Sequence, residues 1–150
     1  MSTVTLDVSE WDKLNKDILY LAEETMPKET KKFMRREGGR LATATRKLAR
    51  STVHKKTGNY FKSIRGSKAW RNSRGGYGVY AYASRKNNLG NHAHLLEYGH
   101  DIWIKGHKLS KQTRDFRIFE KAAQGFDSKY FSDTEYFINR VIQSGFKRGK

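Results

Sequence analysis

Between Ile64 and Ala83 the apolar residues of this chain change their spacing, and a fold that ignores the change cannot bury them. Up to Thr52 apolar side chains recur every three or four residues, the repeat of a helix face. From Ile64 they alternate, with Ile64, Gly66 and Trp70 on one side and Arg65, Ser67 and Arg71 on the other. Period two is the repeat of a strand. A basic, glycine-containing turn from Arg71 to Gly76 follows. Beyond it Tyr77, Val79, Ala81 and Ala83 share one face, and Gly78, Tyr80, Tyr82 and Ser84 the other. The segment reads as a hairpin with a long loop, its second strand carrying apolar surface on both faces. The loop, rich in glycine and like charges, is expected to be mobile in the free protein.

The flanks predict helices. Ser9 and Asp12 form a Ser-x-x-Asp start, and Trp11, Leu14, Ile18, Leu21 and Ala22 make one apolar stripe. Pro27, the single proline, is expected to end that helix and open the next, which runs to about Thr52 with Phe33, Glu37, Leu41, Ala44 and Leu48 inward. Gly38-Gly39 marks a weak point or a close-packing site. Residues 3–8 alternate as a short strand or arm. Downstream, a helix is expected over Leu109–Gln124 with Gly125 as its stop. A last helix is capped by Ser132 and Glu135, stapled by Phe131 and Tyr136, and buried through Phe137, Ile138, Val141 and Ile142. These elements give one domain over residues 1–150 of class α+β: a small, mainly antiparallel sheet of Ser63–Trp70, Tyr77–Ala83 and Asp101–Lys105, packed against N-terminal helices and a C-terminal helix.

The charge narrows the partners. Lys and Arg number 31 against 15 Asp and Glu, a formal charge of +16. From Lys28 to Lys56 alone there are 11 basic residues and two acidic ones. Such a field attracts polyanions without choosing a sequence; its plainest alternative is a solvated helix face. Arg36, Arg40, Lys47 and Arg50 lie outside the Phe33–Leu41–Leu48 stripe and are the candidate phosphate contacts on this helix. Arg71 and Arg74, with Lys68, Trp70 and Tyr77, pair cations with aromatic rings at the hairpin tip, as single-stranded nucleic acid can use. There is no cysteine, so neither a disulfide framework nor a Cys-based zinc site can form. No apolar run approaches the roughly 20 residues of a membrane span, and a soluble protein made inside the cell is expected.

Chemistry is harder to find. His92, His94, His100 and His107 crowd around Glu97, but the His-Glu-x-x-His order of a zinc protease is absent, and Gly75-Gly76-Tyr77-Gly78 lacks the ending of a phosphate-binding loop. A nuclease-like His/Lys/Tyr centre has no spacing to support it. His94, Glu97 and His100 are better read as polar contacts fixing the junction of a short helix with the strand at Ile102. No catalytic residue, metal or cofactor is expected.

In order along the chain stand Thr57-Gly58-Asn59-Tyr60-Phe61-Lys62-Ser63-Ile64, Tyr82-Ala83, His92-Ala93-His94-Leu95-Leu96-Glu97-Tyr98-Gly99-His100 and Ile104-Lys105-Gly106-His107. Together they resemble the tail-completion, or head-to-tail joining, proteins of long-tailed double-stranded DNA bacteriophages. Phe119-Glu120-Lys121-Ala122 and Phe137–Ile142 extend the likeness. The insertion Asn87–Asn91 and the missing Pro-Ala depart from it. The resemblance makes Thr57, Gly58, His94, Glu97, Tyr98, Gly99, His100 and Gly106 motif residues. It implies a non-enzymatic virion protein, present in the host cytoplasm during assembly and in the neck of the finished particle. There it would form a homo-oligomeric ring, expected to be a hexamer. Its neighbours would be portal or head-closure proteins on one side and tail tube or tail terminator proteins on the other, with duplex DNA passing through. The runner-up is a free, basic, sequence-nonspecific nucleic-acid-binding protein.

Overall fold

The computed structural model describes residues 9–54 and 57–147; the expected strand at 3–8 and the end of the basic tail lie outside them. Helix α1 (Ser9–Tyr20) passes through a π-helical turn (Leu21–Thr25) into α2 (Met26–Thr52). Pro27 therefore does not separate two helices. It has no N–H and its ring crowds the carbonyl four residues back. The backbone answers by widening one turn, in which the Met26 N–H donates to the Leu21 carbonyl five residues earlier. Trp11 and Ile18 of the expected α1 stripe remain 65% and 44% exposed.

Helix α2 keeps its predicted bounds, and the C-terminal helix and the strands that follow residue 63 in the first hairpin pack on it. Its deepest line is Met34, Gly38, Ala42, Thr45 and Ala49, one position on from the expected stripe, with Phe33 and Glu37 beside it. Leu41, Ala44 and Leu48 are half-buried. Small residues take the deepest line because two layers must approach the same helix. One is the hairpin, where a Cβ on Gly66 would lie 2.5 Å from the Gly38 carbonyl oxygen. Gly38 is thus the close-packing site, while Gly39 faces open space.

A short α3 (Asn59–Ser63) leads into the hairpin of β1 (Ile64–Gly66), β2 (Trp70–Arg71), β3 (Tyr77–Gly78) and β4 (Ala81–Ala83). β1 pairs with β4 in the register Ile64↔Ala83, and β2 with β3 as Trp70↔Gly78. The register slips by one residue between the two pairs, so Ser67–Ala69 form a bulge opposite Val79 and Tyr80. The tip is tied by Asn72, whose Oδ1 accepts the N–H groups of Arg74 (3.1 Å) and Gly76 (2.8 Å). Its backbone also exchanges hydrogen bonds with Gly75 and Gly76. Mobility was expected here from composition; the structure supplies anchors that composition does not reveal.

The α+β class holds, but its sheet is not one sheet. After α4 (Ala93–Tyr98), β5 (Asp101–Ile104) pairs with β6 (His107–Gln112) and not with the first hairpin. Lys105 (φ 48°) and Gly106 (φ 83°) make a two-residue turn with both φ positive, the geometry that folds a chain straight back on itself. That turn makes residues 107–112 a strand where a helix was expected. Helix α5 (Ile118–Lys147) then runs unbroken through Gly125, Ser132 and Glu135. The predicted stop, capping box and staple are all absent, and Phe131 and Tyr136 are 70% and 68% exposed. One glycine in a helix costs about 1 kcal/mol, less than the burial of Ile118, Phe137 and Val141 along α2 returns. The core has two parts. Ala42, Ala49, Phe61, Ile64 and Ile118 fill one. Phe33, Met34, Phe137 and Val141 fill the other, where Phe33 and Phe137 stack at 4.5 Å.

Candidate nucleic-acid interface

Charge is distributed unevenly along α2. In its first half several cations are answered, Lys28 by Glu24 and Lys32 by Glu29, each at 2.7 Å, while Lys31 and Arg35 are exposed with no ion-pair partner among the described residues. Arg36 Nε lies 3.1 Å from Oε1 of the buried Glu37 and over the Phe33 ring. Arg40 reaches that same oxygen (3.0 Å) and Asp133 on α5 (2.6 Å). Arg36 and Arg40 are therefore not the free phosphate contacts that helical spacing suggested; they neutralise a buried carboxylate, and Arg40 also fastens α5 to α2. Lys47 and Arg50 are exposed and have no ion-pair partner among the described residues.

Beyond that point the acids run out. Between Glu37 and Glu97 the chain has no Asp or Glu and 13 Lys or Arg. Arg46 spends its Nε on the Ile64 carbonyl (3.1 Å), fixing β1 to α2. Arg50 and Lys62 line one shallow cleft of about 400 Å³ with Thr57, Gly58 and Phe61. Arg71 bonds the Gly75 carbonyl at 3.3 Å, and Arg74 is exposed at the tip. Lys68, named with the hairpin tip, is exposed too, as are Lys62, Arg65, Arg85 and Lys86, which were not singled out from the sequence. The signal that could have found them is the unbroken absence of acids.

The motif residues serve the architecture. Gly58 caps α3 at φ 77°, and the Thr57 hydroxyl accepts the Asn59 N–H. Gly99 adopts φ 69° with the Thr113 carbonyl oxygen 2.5 Å from where a Cβ would stand, so glycine is required there. His100 and Thr113 bind each other through backbone and side chain. Glu97 is buried at the centre: Oε1 accepts the Tyr60 hydroxyl (2.7 Å), and Oε2 accepts the Phe119 N–H (3.2 Å) at the start of α5. One carboxylate thus joins α3, α4 and α5. Glu97 and His100 fix the junction as expected. His94 makes no hydrogen bond among the described residues, lining instead an open cleft of about 390 Å³ with Arg85, Tyr98 and Arg117. Tyr98 is 80% exposed.

Burial, and then the hydrogen bond to Glu97, hold the Tyr60 phenol well above the ordinary tyrosine range. A raised folded-state value favours folding fully below the unfolded value near pH 10, and that contribution is lost as pH climbs above it. Alkaline titration followed by tyrosinate absorbance is expected to leave one tyrosine protonated at about pH 11 until helical circular dichroism collapses. In Tyr60→Phe that late step should be missing.

Comparison of the chain with protein-family models, curated proteins and solved structures finds no significant match. Among the described residues, no group of three His, Asp or Glu stands close enough to hold a metal ion, and no helix is long and apolar enough to cross a membrane.

Proposed function

We propose that this chain is a structural protein of a bacteriophage neck, assembling with copies of itself into a ring between head and tail and contacting the DNA that passes through. The observation that carries the reading is the set of large apolar side chains left uncovered on two helices. On α1, Trp11, Leu19 and Tyr20 are 65%, 57% and 54% exposed; on α5, Phe131 and Tyr136 are more exposed still. A single apolar side chain on a surface needs no explanation, but five large ones more than half exposed on two helices are surface that protein neighbours would cover. Apolar side chains on two unlike helices suit head-to-tail contacts, which close into rings where the rotation between copies allows it. The ordered motifs from Thr57 to Gly106 support the same assignment by resemblance, and the acid-free surface supplies backbone-charge contact with duplex DNA without base reading.

The test measures assembly and binding together. Sedimentation and native mass spectrometry are expected to show a closed homo-oligomer. Duplex binding should be weak, indifferent to sequence, and fall with salt at a logarithmic slope near −0.9 per neutralised phosphate. Lys47→Gln and Arg50→Gln should each reduce that slope by about one. Arg40→Gln should instead lower stability, because its charge is spent on Glu37 and Asp133. A chain that stays monomeric at every concentration and binds nucleic acid tightly at high salt would be a free binding module, and the neck reading would fall.

A further inference from the structure

We infer that the outer face of the first hairpin is a stacking site for single-stranded nucleic acid, separate from the duplex contacts of α2. Strand alternation sends Tyr77, Val79 and Ala81 inward, against the core clusters. It sends Gly78, Tyr80 and Tyr82 outward. Gly78 is where the indole of Trp70 lies: a Cβ at Gly78 would be 2.8 Å from Trp70 Cζ2. The indole therefore lies across the strand on the same side as the two tyrosines. Trp70, Tyr80 and Tyr82 are 49%, 54% and 39% exposed and, with Ser67 and Lys68, line one shallow cleft of about 380 Å³. The two tyrosine rings stand 5.7 Å apart at 59°, splayed instead of stacked on one another, so each keeps an open face.

The occupant follows from what surrounds the aromatic rings. Arg65 sits opposite Tyr82 in the register, Lys68 is in the bulge, Arg71 follows Trp70, and the nearest acid in sequence on either side is Glu37 or Glu97. A row of open rings beside cations, with no anion in the segment, fits a ligand that alternates planar rings with negative charge. Single-stranded nucleic acid has that chemistry; a duplex hides its ring faces, and a simple polyanion has none. Tyr77, the ring that sequence position at the tip suggested, is turned into the core, and Tyr80 and Tyr82 take its place.

The experiment uses the full chain and fluorescein-labelled oligothymidylate and oligouridylate of about 16 nucleotides, the upper end of single-module site sizes. A duplex of equal length and dextran sulfate serve as further arms. Single strands should bind more tightly than either and quench tryptophan fluorescence, and the quenching should vanish in Trp70→Phe. Trp70→Ala and Tyr80→Ala should each weaken single strands roughly 5- to 150-fold, with Trp70→Phe recovering part of the loss. Duplex and dextran sulfate binding should not change. Equal binding by the thymidine and uridine strands assigns the site to base faces, and preference for one assigns the thymine methyl or the sugar a part in it. Equal losses across all four ligands would overturn the proposal, as would single strands binding no better than duplex. A change in oligomeric state with single-strand affinity intact would also overturn it, making the face a protein contact. Because Lys47→Gln and Arg50→Gln report on the duplex arm alone, failure of this site and failure of the neck reading give different results.

Discussion

Replacing Glu97 by Ala is expected to lower the stability of the fold by about 3–5 kcal/mol, the sum of two hydrogen bonds to a charged group with their donors left buried. The magnitude follows from position. Glu97 is 7% exposed, and its two oxygens serve two different elements, the Tyr60 hydroxyl of α3 and the Phe119 N–H that begins α5. For a chain of this length each kcal/mol moves the midpoint by about 2–4 °C, so a fall of roughly 6–20 °C should appear in thermal denaturation followed by circular dichroism. Tyr60→Phe removes one of the two bonds and should cost less, about 1–3 kcal/mol. If Glu97→Ala melted within a degree of the parent, the carboxylate would not be the joint between these helices.

The second large effect compares one substitution at two glycines. Gly66→Ala places a methyl group 2.5 Å from the Gly38 oxygen and 2.7 Å from its carbonyl carbon, both backbone atoms of a packed helix. Neither the strand nor the helix can yield locally, so the hairpin must lift from α2 at a cost of about 1–3 kcal/mol or more. Gly39→Ala, next along α2, meets nothing within 4 Å and should stabilise the helix by about 1 kcal/mol. Chemical denaturation of the two variants should therefore move the midpoint in opposite directions. Equal shifts would mean that the close crossing of β1 over α2 does not govern the Gly66 site.

What could be read from the sequence was what local chemistry decides alone. The bounds of α2, the alternation of the hairpin and the helix-to-strand junction at Glu97 came from spacing, and spacing was enough. The end of the chain was misread because Gly125 and Ser132-x-x-Glu135 are real local signals outweighed by packing along α2. The Lys105-Gly106 turn is the opposite case: a glycine that admits a positive φ is a local signal, and here it outranks the helical spacing from Leu109 onward. At the candidate interface, helical periodicity put Arg40 on an outer face, but periodicity cannot see Asp133, 93 residues away in the chain. Nor could alternation alone show that Trp70 folds across Gly78 to join the tyrosines.

The widened turn at Leu21–Thr25 also sets a rotational phase. Each residue of an α-helix advances about 100° around the axis, so a turn holding one residue more than the α repeat offsets everything before it by about that angle. The offset decides which azimuth of α1 carries Trp11, Ile18 and Leu19 relative to the face of α2 that binds the hairpin and α5. Removal of one residue between Leu21 and Thr25, combined with Pro27→Ala to relieve the ring clash, would let the α repeat run through and swing those side chains by nearly a third of a circle, with scarcely any change in helix content. The direction in which this protein offers its N-terminal apolar side chains is thus set by a single residue of helical register before Pro27, in a turn that Leu21 and Met26 anchor to the second core cluster.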